Sequence, residues 1–215
     1  MPLEFPKSMF VTGTDTGIGK TLVSAVLAAG LRAEYWKPIQ SGLEDISDTK
    51  WVHEKTELPE RFFHRETYRL ERPMSPHASA LCEGIRIDLK AFKMPHAGTS
   101  RHLIIEGVGG IMVPLNERHF VLDLMKKLKA PVLLVASSAL GTINHTLLSL
   151  EQLRRHHLDV FGVVMNGPGN PSNRRAIEGY GRVRVCAEIE PLSKIDRETL
   201  LSVFQQSFKG EGANE

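Results

Sequence analysis

The sequence has 215 residues, of which 41% are hydrophobic and 24% charged, and its formal net charge is +2. A chain of this length can bury one core of the size typical of α/β domains, and its charge gives no electrostatic reason to expect nucleic-acid binding. No apolar run is long enough to span a bilayer, and the two distant cysteines, Cys82 and Cys186, favour a reducing cytoplasm over a disulfide scaffold.

Short apolar runs alternate with helical patterns along the chain. The expected strands are Met9–Thr12, Glu34–Lys37, His102–Ile105, Val132–Ala136, Phe161–Met165 and Val183–Cys186. The expected helices are Lys20–Ala33, Asp48–Leu58, Pro76–Glu83, Phe120–Leu128, Ile143–His157, Pro171–Tyr180 and Arg197–Phe208. Several strands are continuously apolar, as in a parallel sheet buried on both faces.

The order of these elements predicts an α/β fold of the P-loop NTPase-like type, with a mostly parallel central sheet and helices on both faces. We expect one domain over residues 1–208 and a polar, disordered tail over residues 209–215. In such folds ligands bind beyond the carboxyl ends of the strands, so the residues that follow each strand are the candidates for function.

The first strand runs into a glycine-rich loop that ends Gly19-Lys20-Thr21. Small residues let backbone N–H groups point at phosphates, the lysine adds a positive charge, and the threonine hydroxyl can ligate Mg²⁺. The match to a Walker A motif is imperfect, because Thr14 stands where the first glycine is expected. The candidate phosphate-binding residues are Gly13, Thr14, Asp15, Thr16, Gly17, Ile18, Gly19, Lys20 and Thr21.

Polar side chains follow three further strands. Glu106 precedes a Gly-Val-Gly-Gly segment and is a candidate Mg²⁺ ligand rather than a solvated strand-end glutamate. Lys37 could neutralise a phosphoryl group or an anionic substrate, or could be an ordinary surface lysine. Asp48 could cap a helix or be a second metal carboxylate, and Asn166 could meet an adenine edge or belong to a turn.

Several of these segments together resemble the dethiobiotin synthetase family. They are the Thr-Gly-Thr-Asp-Thr loop with Gly19-Lys20-Thr21, Tyr35-Trp36-Lys37-Pro38 with Ser41-Gly42, Ser75-Pro76-His77, Glu106 to Gly110, Leu140 to His145, and Asn166. They follow the family's order over most of the chain. The combination is far more specific than a Walker A motif alone.

The resemblance implies an ATP-dependent ligase of biotin biosynthesis. CO₂ would add to one amine of 7,8-diaminopelargonate to give a carbamate, which ATP phosphorylates. The second amine would then attack the mixed anhydride, so that the products are dethiobiotin, ADP and phosphate. Positioning and charge neutralisation would do most of the catalytic work.

The resemblance also assigns roles to residues. Lys20 and Lys37 would be catalytic, while Thr21, Asp48 and Glu106 would hold Mg²⁺. Thr16, Lys37 and Ser41 would bind the carbamate or diamine end of the substrate. Glu106, Gly109, Asn166 and Pro191 would join the loop in binding the nucleotide. In a homodimer, the partner subunit's helix start would receive the substrate carboxylate through Gly141, Thr142, Ile143 and Asn144.

Two other functions compete with this interpretation. A partitioning or positioning ATPase would act as a nucleotide-switched binding module on DNA or membrane, but such proteins typically carry an extra lysine early in the loop, where Asp15 stands. An amidotransferase-linked synthetase would need a glutaminase domain, for which 215 residues leave no room.

Overall fold

The computed structural model describes residues 3–43, 46–95 and 101–208. The nine strands within these ranges are β1 (Ser8–Gly13), β2 (Glu34–Trp36), β3 (Ile39–Ser41), β4 (Phe63–His64), β5 (Tyr68–Leu70), β6 (Leu103–Gly110), β7 (Val132–Ser137), β8 (Val160–Asn166) and β9 (Val185–Ile189). The seven α-helices are α1 (Lys20–Leu31), α2 (Asp48–Thr56), α3 (Pro76–Cys82), α4 (Val121–Leu128), α5 (Thr142–Arg155), α6 (Pro171–Gly181) and α7 (Arg197–Phe208). The tail predicted over residues 209–215 lies outside the described residues.

Seven strands form one sheet in the order β4-β2-β6-β1-β7-β8-β9, and every pairing in it is parallel. The strands β3 and β5 form a second, two-stranded parallel sheet. The parallel α/β fold predicted from the sequence is confirmed. Because all strands of the main sheet point the same way, the segments that follow β1, β2, β6 and β8 meet at one edge.

The main sheet is buried on both faces. One apolar cluster joins Val26 and Leu27 of α1 to Phe204 of α7, and another joins Leu124 and Met125 of α4 to the other side of the sheet. Continuous apolar strands are what such two-sided burial requires. None of the helices in the described residues is long and apolar enough to cross a membrane.

Three parts of the strand prediction were wrong. The sequence predicts that a strand ends at Ile105, but β6 continues to Gly110, where it pairs with Gly13 of β1. Glycines are depleted in strands, which is why the Gly-rich segment was interpreted as a loop. The last strand lies at Val185–Ile189 rather than Val183–Cys186, and the short strands β3, β4 and β5 were not predicted.

Candidate active site

The phosphate loop connects β1 to α1 in a tightly folded conformation. The ammonium group of Lys20 donates a hydrogen bond to the backbone oxygen of Asp15 at 2.8 Å, and the carboxylate of Asp15 accepts one from the N–H of Thr16 at 2.7 Å. Burial and the positive charge of Lys37 lower the pKa of Lys20 to about 8. The loop therefore holds its lysine against its own backbone, at the position where α1 begins.

Glu106 is the centre of a buried polar cluster. Its side chain is fully buried, and its Oε1 atom accepts hydrogen bonds from Thr21 Oγ1 and from Lys37 Nζ, each at 2.8 Å. Lys37 Nζ also lies 2.5 Å from Asp48 Oδ2, so the ammonium group bridges two carboxylates. The side chains of four segments distant in sequence thus converge on one point.

The structure excludes one of the alternatives left open for Lys37 and one of those left open for Asp48. Only 4% of the Lys37 side chain is exposed, so it is not a surface lysine. Burial by itself would lower its pKa, but the charges of Glu106 and Asp48 outweigh that effect and hold the pKa of Lys37 above its usual value. Ser47, not Asp48, caps α2 by accepting a hydrogen bond from the N–H of Lys50 at 3.3 Å, so the capping interpretation of Asp48 was wrong.

Tyr35 belongs to this cluster, although the sequence placed it only within a segment of the family resemblance and assigned it no role. Its hydroxyl donates a hydrogen bond to Glu106 Oε2 at 2.9 Å, and the whole residue is buried. Burial and the negative charge of Glu106 hold the pKa of Tyr35 well above its usual range, so the phenol keeps its proton. An aromatic residue in an apolar strand predicts only core packing, and the pairing of two strands was needed to find this role.

A cavity of about 600 Å³ opens in front of the cluster and the loop. Ten of the sequence-predicted site residues line it: Thr16, Gly17, Gly19, Lys20, Thr21, Lys37, Ser41, Asp48, Glu106 and Gly109. The other residues that line it are Pro73, Met74, Ser75, Pro76, Val108 and Val113. Of these residues, Ser75, Pro76 and Val108 belong to the segments on which the family resemblance rests.

The remaining predicted residues are not among those that line this cavity. Thr14 and Asp15 line a neighbouring cavity of about 380 Å³ between the loop and α5. Gly13 and the side chain of Ile18 pack against each other within the loop, since a Cβ atom on Gly13 would meet the Ile18 side chain. Pro191 is exposed after β9, and Gly141, Thr142, Ile143 and Asn144 form the start of α5.

Asn166 lies at the end of β8 and supports the phosphate loop. Its amide nitrogen donates a hydrogen bond to the backbone oxygen of Ile18 at 2.9 Å. A Cβ atom on the next residue of the chain, Gly167, would run into the hydroxyl group of Ser138, so a side chain does not fit there. The amide of Asn166 thus has a structural contact in addition to the role in adenine binding that the sequence predicts.

The oxygen atoms of the cluster suit a magnesium ion. Glu106, Asp48 and Thr21 offer carboxylate and hydroxyl oxygens, which hard divalent cations prefer, and Mg²⁺ commonly uses only one or two protein carboxylates plus nucleotide phosphates. The ammonium group of Lys37 already lies between the two carboxylates, which indicates that this position accepts positive charge. In the described ranges, no group of three or more His, Cys, Asp or Glu side chains offers a complete protein-only metal site.

Alanine substitutions at two glycines of the loop should distinguish the effect of backbone strain on ADP binding from the effect of steric crowding. Gly17 and Gly19 have φ angles of 73° and 92°, where alanine costs about 1–2 kcal/mol. We expect Gly17→Ala to weaken ADP binding about tenfold, because a strain of about 1.4 kcal/mol shifts the unliganded loop away from the positive-φ conformation and binding must restore it. Gly19→Ala should weaken it about 100-fold, since its Cβ atom would also run into the Asn166 amide and displace the loop. Isothermal calorimetry measures both, and equal losses would contradict the crowding argument.

The chain is similar to known proteins over nearly its whole length. A family model described as an AAA domain matches residues 7–199. The ATP-dependent dethiobiotin synthetase BioD of Paramagnetospirillum magneticum is 48% identical over 96% of this chain and 98% of its own length. The BioD protein of Bradyrhizobium diazoefficiens is 42% identical over 94% and 95%, respectively.

Solved structures of other proteins share the fold. The MinC:MinD cell division complex of Aquifex aeolicus matches with a TM-score of 0.52 at 13% identity, over 92% of this chain and 86% of that one. A nucleotide-binding protein of Archaeoglobus fulgidus in complex with ADP matches with a TM-score of 0.50 at 14% identity, over 92% and 84%. At such low identity these similarities concern the fold alone, whereas the nearly full-length sequence matches show that the chain belongs to the ATP-dependent dethiobiotin synthetase family.

Proposed function

We propose that this protein catalyses the ATP-dependent formation of dethiobiotin from 7,8-diaminopelargonate and CO₂, with release of ADP and phosphate. The observation that supports this most is the cluster of Lys37, Glu106, Asp48 and Thr21 next to the phosphate loop, in one cavity. The relatives named for this activity match nearly the whole chain. The partitioning ATPase is not favoured, because its extra loop lysine is replaced by Asp15.

Positively charged residues of this chain can neutralise the negative charge of the phosphates and of the carbamate. Lys20, once released from the Asp15 backbone oxygen, can reach the outer phosphates of ATP from the start of α1. Lys37 carries a buried positive charge at the cavity wall, where a carbamate and the transferring phosphoryl group need one. A bound Mg²⁺ ion, held by Thr21, Asp48 and Glu106, would add charge neutralisation of the phosphates.

Two residues of the cavity suit the binding of the organic substrate. The hydroxyl oxygen of Ser41 is buried and has no hydrogen-bond partner among the described residues, although buried hydroxyls are normally paired. Thr16 lies on the same cavity, close to the phosphate loop. Both would bind the diamine or carbamate end of the substrate. The adenine of ATP would then bind on the side of the loop where Asn166 and Pro191 lie.

We also infer that two copies of the chain assemble through the face that carries the start of α5. The side chains of Met112, Leu140 and Leu148 on this face are 46%, 104% and 58% exposed, which is unusual for apolar residues. The partner subunit's helix start, with Gly141, Thr142, Ile143 and Asn144, would then supply N–H groups for the substrate carboxylate. Analytical ultracentrifugation tests this directly, and a monomer at micromolar concentration would overturn it.

We also propose a cytoplasmic location, because the reaction consumes ATP, which is a cytoplasmic substrate. Both cysteines support it, since Cys82 and Cys186 are free thiols in the structure. Burial raises the pKa of the Cys186 thiol to about 11, so that it is a packing residue rather than a nucleophile.

A co-substrate requirement assay tests the proposed activity. Purified protein should release phosphate from ATP only when 7,8-diaminopelargonate, bicarbonate and Mg²⁺ are all present, and mass spectrometry should find dethiobiotin. The physical reason is that the carbamate oxygen is the phosphoryl acceptor, so no acceptor exists without both reactants. ATP hydrolysis that is stimulated by DNA or liposomes and is indifferent to the diamine would refute the synthetase function.

A further inference from the structure

We propose that Tyr35 is a positioning residue, which fixes the orientation of the Glu106 carboxylate so that one oxygen atom stays available for a divalent cation. This inference rests on the proposed metal-binding role of Glu106. Tyr35 is not among the residues that line the cavity, so it acts through Glu106 rather than on a substrate.

The register of two neighbouring strands brings the two side chains together. Tyr35 of β2 is paired with Ile104 of β6, and Glu106 lies two residues further along β6 on the same face of the sheet. A long aromatic side chain can reach such a diagonal neighbour, and the Tyr35 hydroxyl lies 2.9 Å from Glu106 Oε2. The phenol group of Tyr35 therefore reaches Glu106 Oε2 without leaving its place in the core.

The two oxygen atoms of the Glu106 carboxylate have different partners. Oε2 accepts from Tyr35, whereas Oε1 accepts from Thr21 Oγ1 and Lys37 Nζ at the cavity. A glutamate carboxylate turns readily about its last bond, because this torsion has broad minima. The hydrogen bond from the phenol holds Oε2 in the protein interior and Oε1 at the position where the ammonium group lies.

The surroundings of Tyr35 make it a rigid donor. The residue is fully buried in the core cluster on the α1 side of the sheet, and its ring lies 6.0 Å from that of Phe63, centroid to centroid. An aromatic side chain has few rotamers, so packing fixes where its hydroxyl points. Partners that orient a metal ligand in this way commonly change metal affinity by about 10–100-fold when they are lost.

Tyr35→Phe removes the hydroxyl group and keeps the ring. We expect the dissociation constant of Mn²⁺, measured by electron paramagnetic resonance on ADP-saturated protein, to rise about tenfold in this variant. ADP binding in the presence of EDTA should remain unchanged, because Tyr35 touches neither the loop nor the cavity. The matched control is Tyr68→Phe, which removes a phenol that accepts a hydrogen bond from the N–H of Asp88 at 2.9 Å, outside the site. This control should bind Mn²⁺ like the parent protein.

A change of less than threefold in a folded Tyr35→Phe variant would overturn the proposal, since a merely structural hydroxyl would leave Mn²⁺ affinity unchanged. A second measurement leaves Tyr35 in place. The chain has three tyrosines, so 3-fluorotyrosine labelling gives three ¹⁹F signals, assigned with Tyr68→Phe and Tyr180→Phe. Adding Mg²⁺ to the ADP complex should shift the Tyr35 signal, and an unshifted signal would also overturn the proposal. Neither measurement needs turnover, so both are independent of the co-substrate assay.

Discussion

Lys37→Met is expected to lower kcat by about 10²–10³-fold, which is the usual effect of removing one charge-stabilising group from a transition state. Methionine keeps much of the volume of the lysine stem but supplies no charge to the carbamate or the phosphoryl group. ADP binding should remain within a few-fold of the parent protein, because Lys20 and the loop backbone are unchanged. Single-turnover kinetics and calorimetry measure the two effects separately, and an unchanged kcat would exclude Lys37 from catalysis.

The same substitution should also lower the free energy of unfolding, because it removes the cation of the ionic cluster. Without the ammonium group, the carboxylates of Glu106 and Asp48 have lost the cation between them, which costs on the order of 3 kcal/mol in the free energy of unfolding. Mg²⁺ should then raise the melting temperature of the variant more than that of the parent protein. Lys50→Met is the matched control, because the Lys50 side chain is 67% exposed and pairs only loosely with Glu54 at 3.9 Å. Lys50→Met should leave both the free energy of unfolding and the stabilisation by Mg²⁺ close to those of the parent protein.

Glu106→Gln is expected to give the second large effect, a loss of about 10²–10³-fold in kcat. Glutamine has the same shape but no charge, so the oxygen that faces Thr21 becomes a poor ligand for a divalent cation. The apparent Mg²⁺ requirement should rise together with the loss of kcat. A Mg²⁺ titration of phosphate release, at saturating ATP and diamine, measures both quantities.

An exposed glutamate serves as the control for this variant. The Glu117 side chain is 71% exposed and pairs with Arg86 at 3.3 Å, away from the phosphate loop. Exposed pairs contribute little to stability, so Glu117→Gln should leave kcat and the Mg²⁺ requirement unchanged. If Glu106→Gln retained the parent Mg²⁺ dependence, the metal would have to be held without Glu106.

Local sequence patterns were sufficient to predict much of the fold. The seven helices were predicted with small errors at their ends, because their apolar spacing and start signals are properties of short segments. The extension of β6 through Glu106 to Gly110 could not be predicted in this way. It depends on hydrogen bonds to β1, a strand about 90 residues earlier in the chain, and these outweigh the weak intrinsic preference of glycine for strands.

The sequence by itself determined the phosphate loop, the parallel α/β order, and the candidates Lys37, Asp48 and Glu106, since these are signals within a few residues or a resemblance to a family. Only the tertiary structure decided that Lys37 is buried between two carboxylates, that Ser47 rather than Asp48 caps α2, and that Tyr35 donates to Glu106. The physical reason is that burial and hydrogen-bond partners arise when strands distant in sequence pair in a defined register. The sequence pattern of a tyrosine in an apolar strand is the same whether or not its hydroxyl donates a hydrogen bond to a carboxylate.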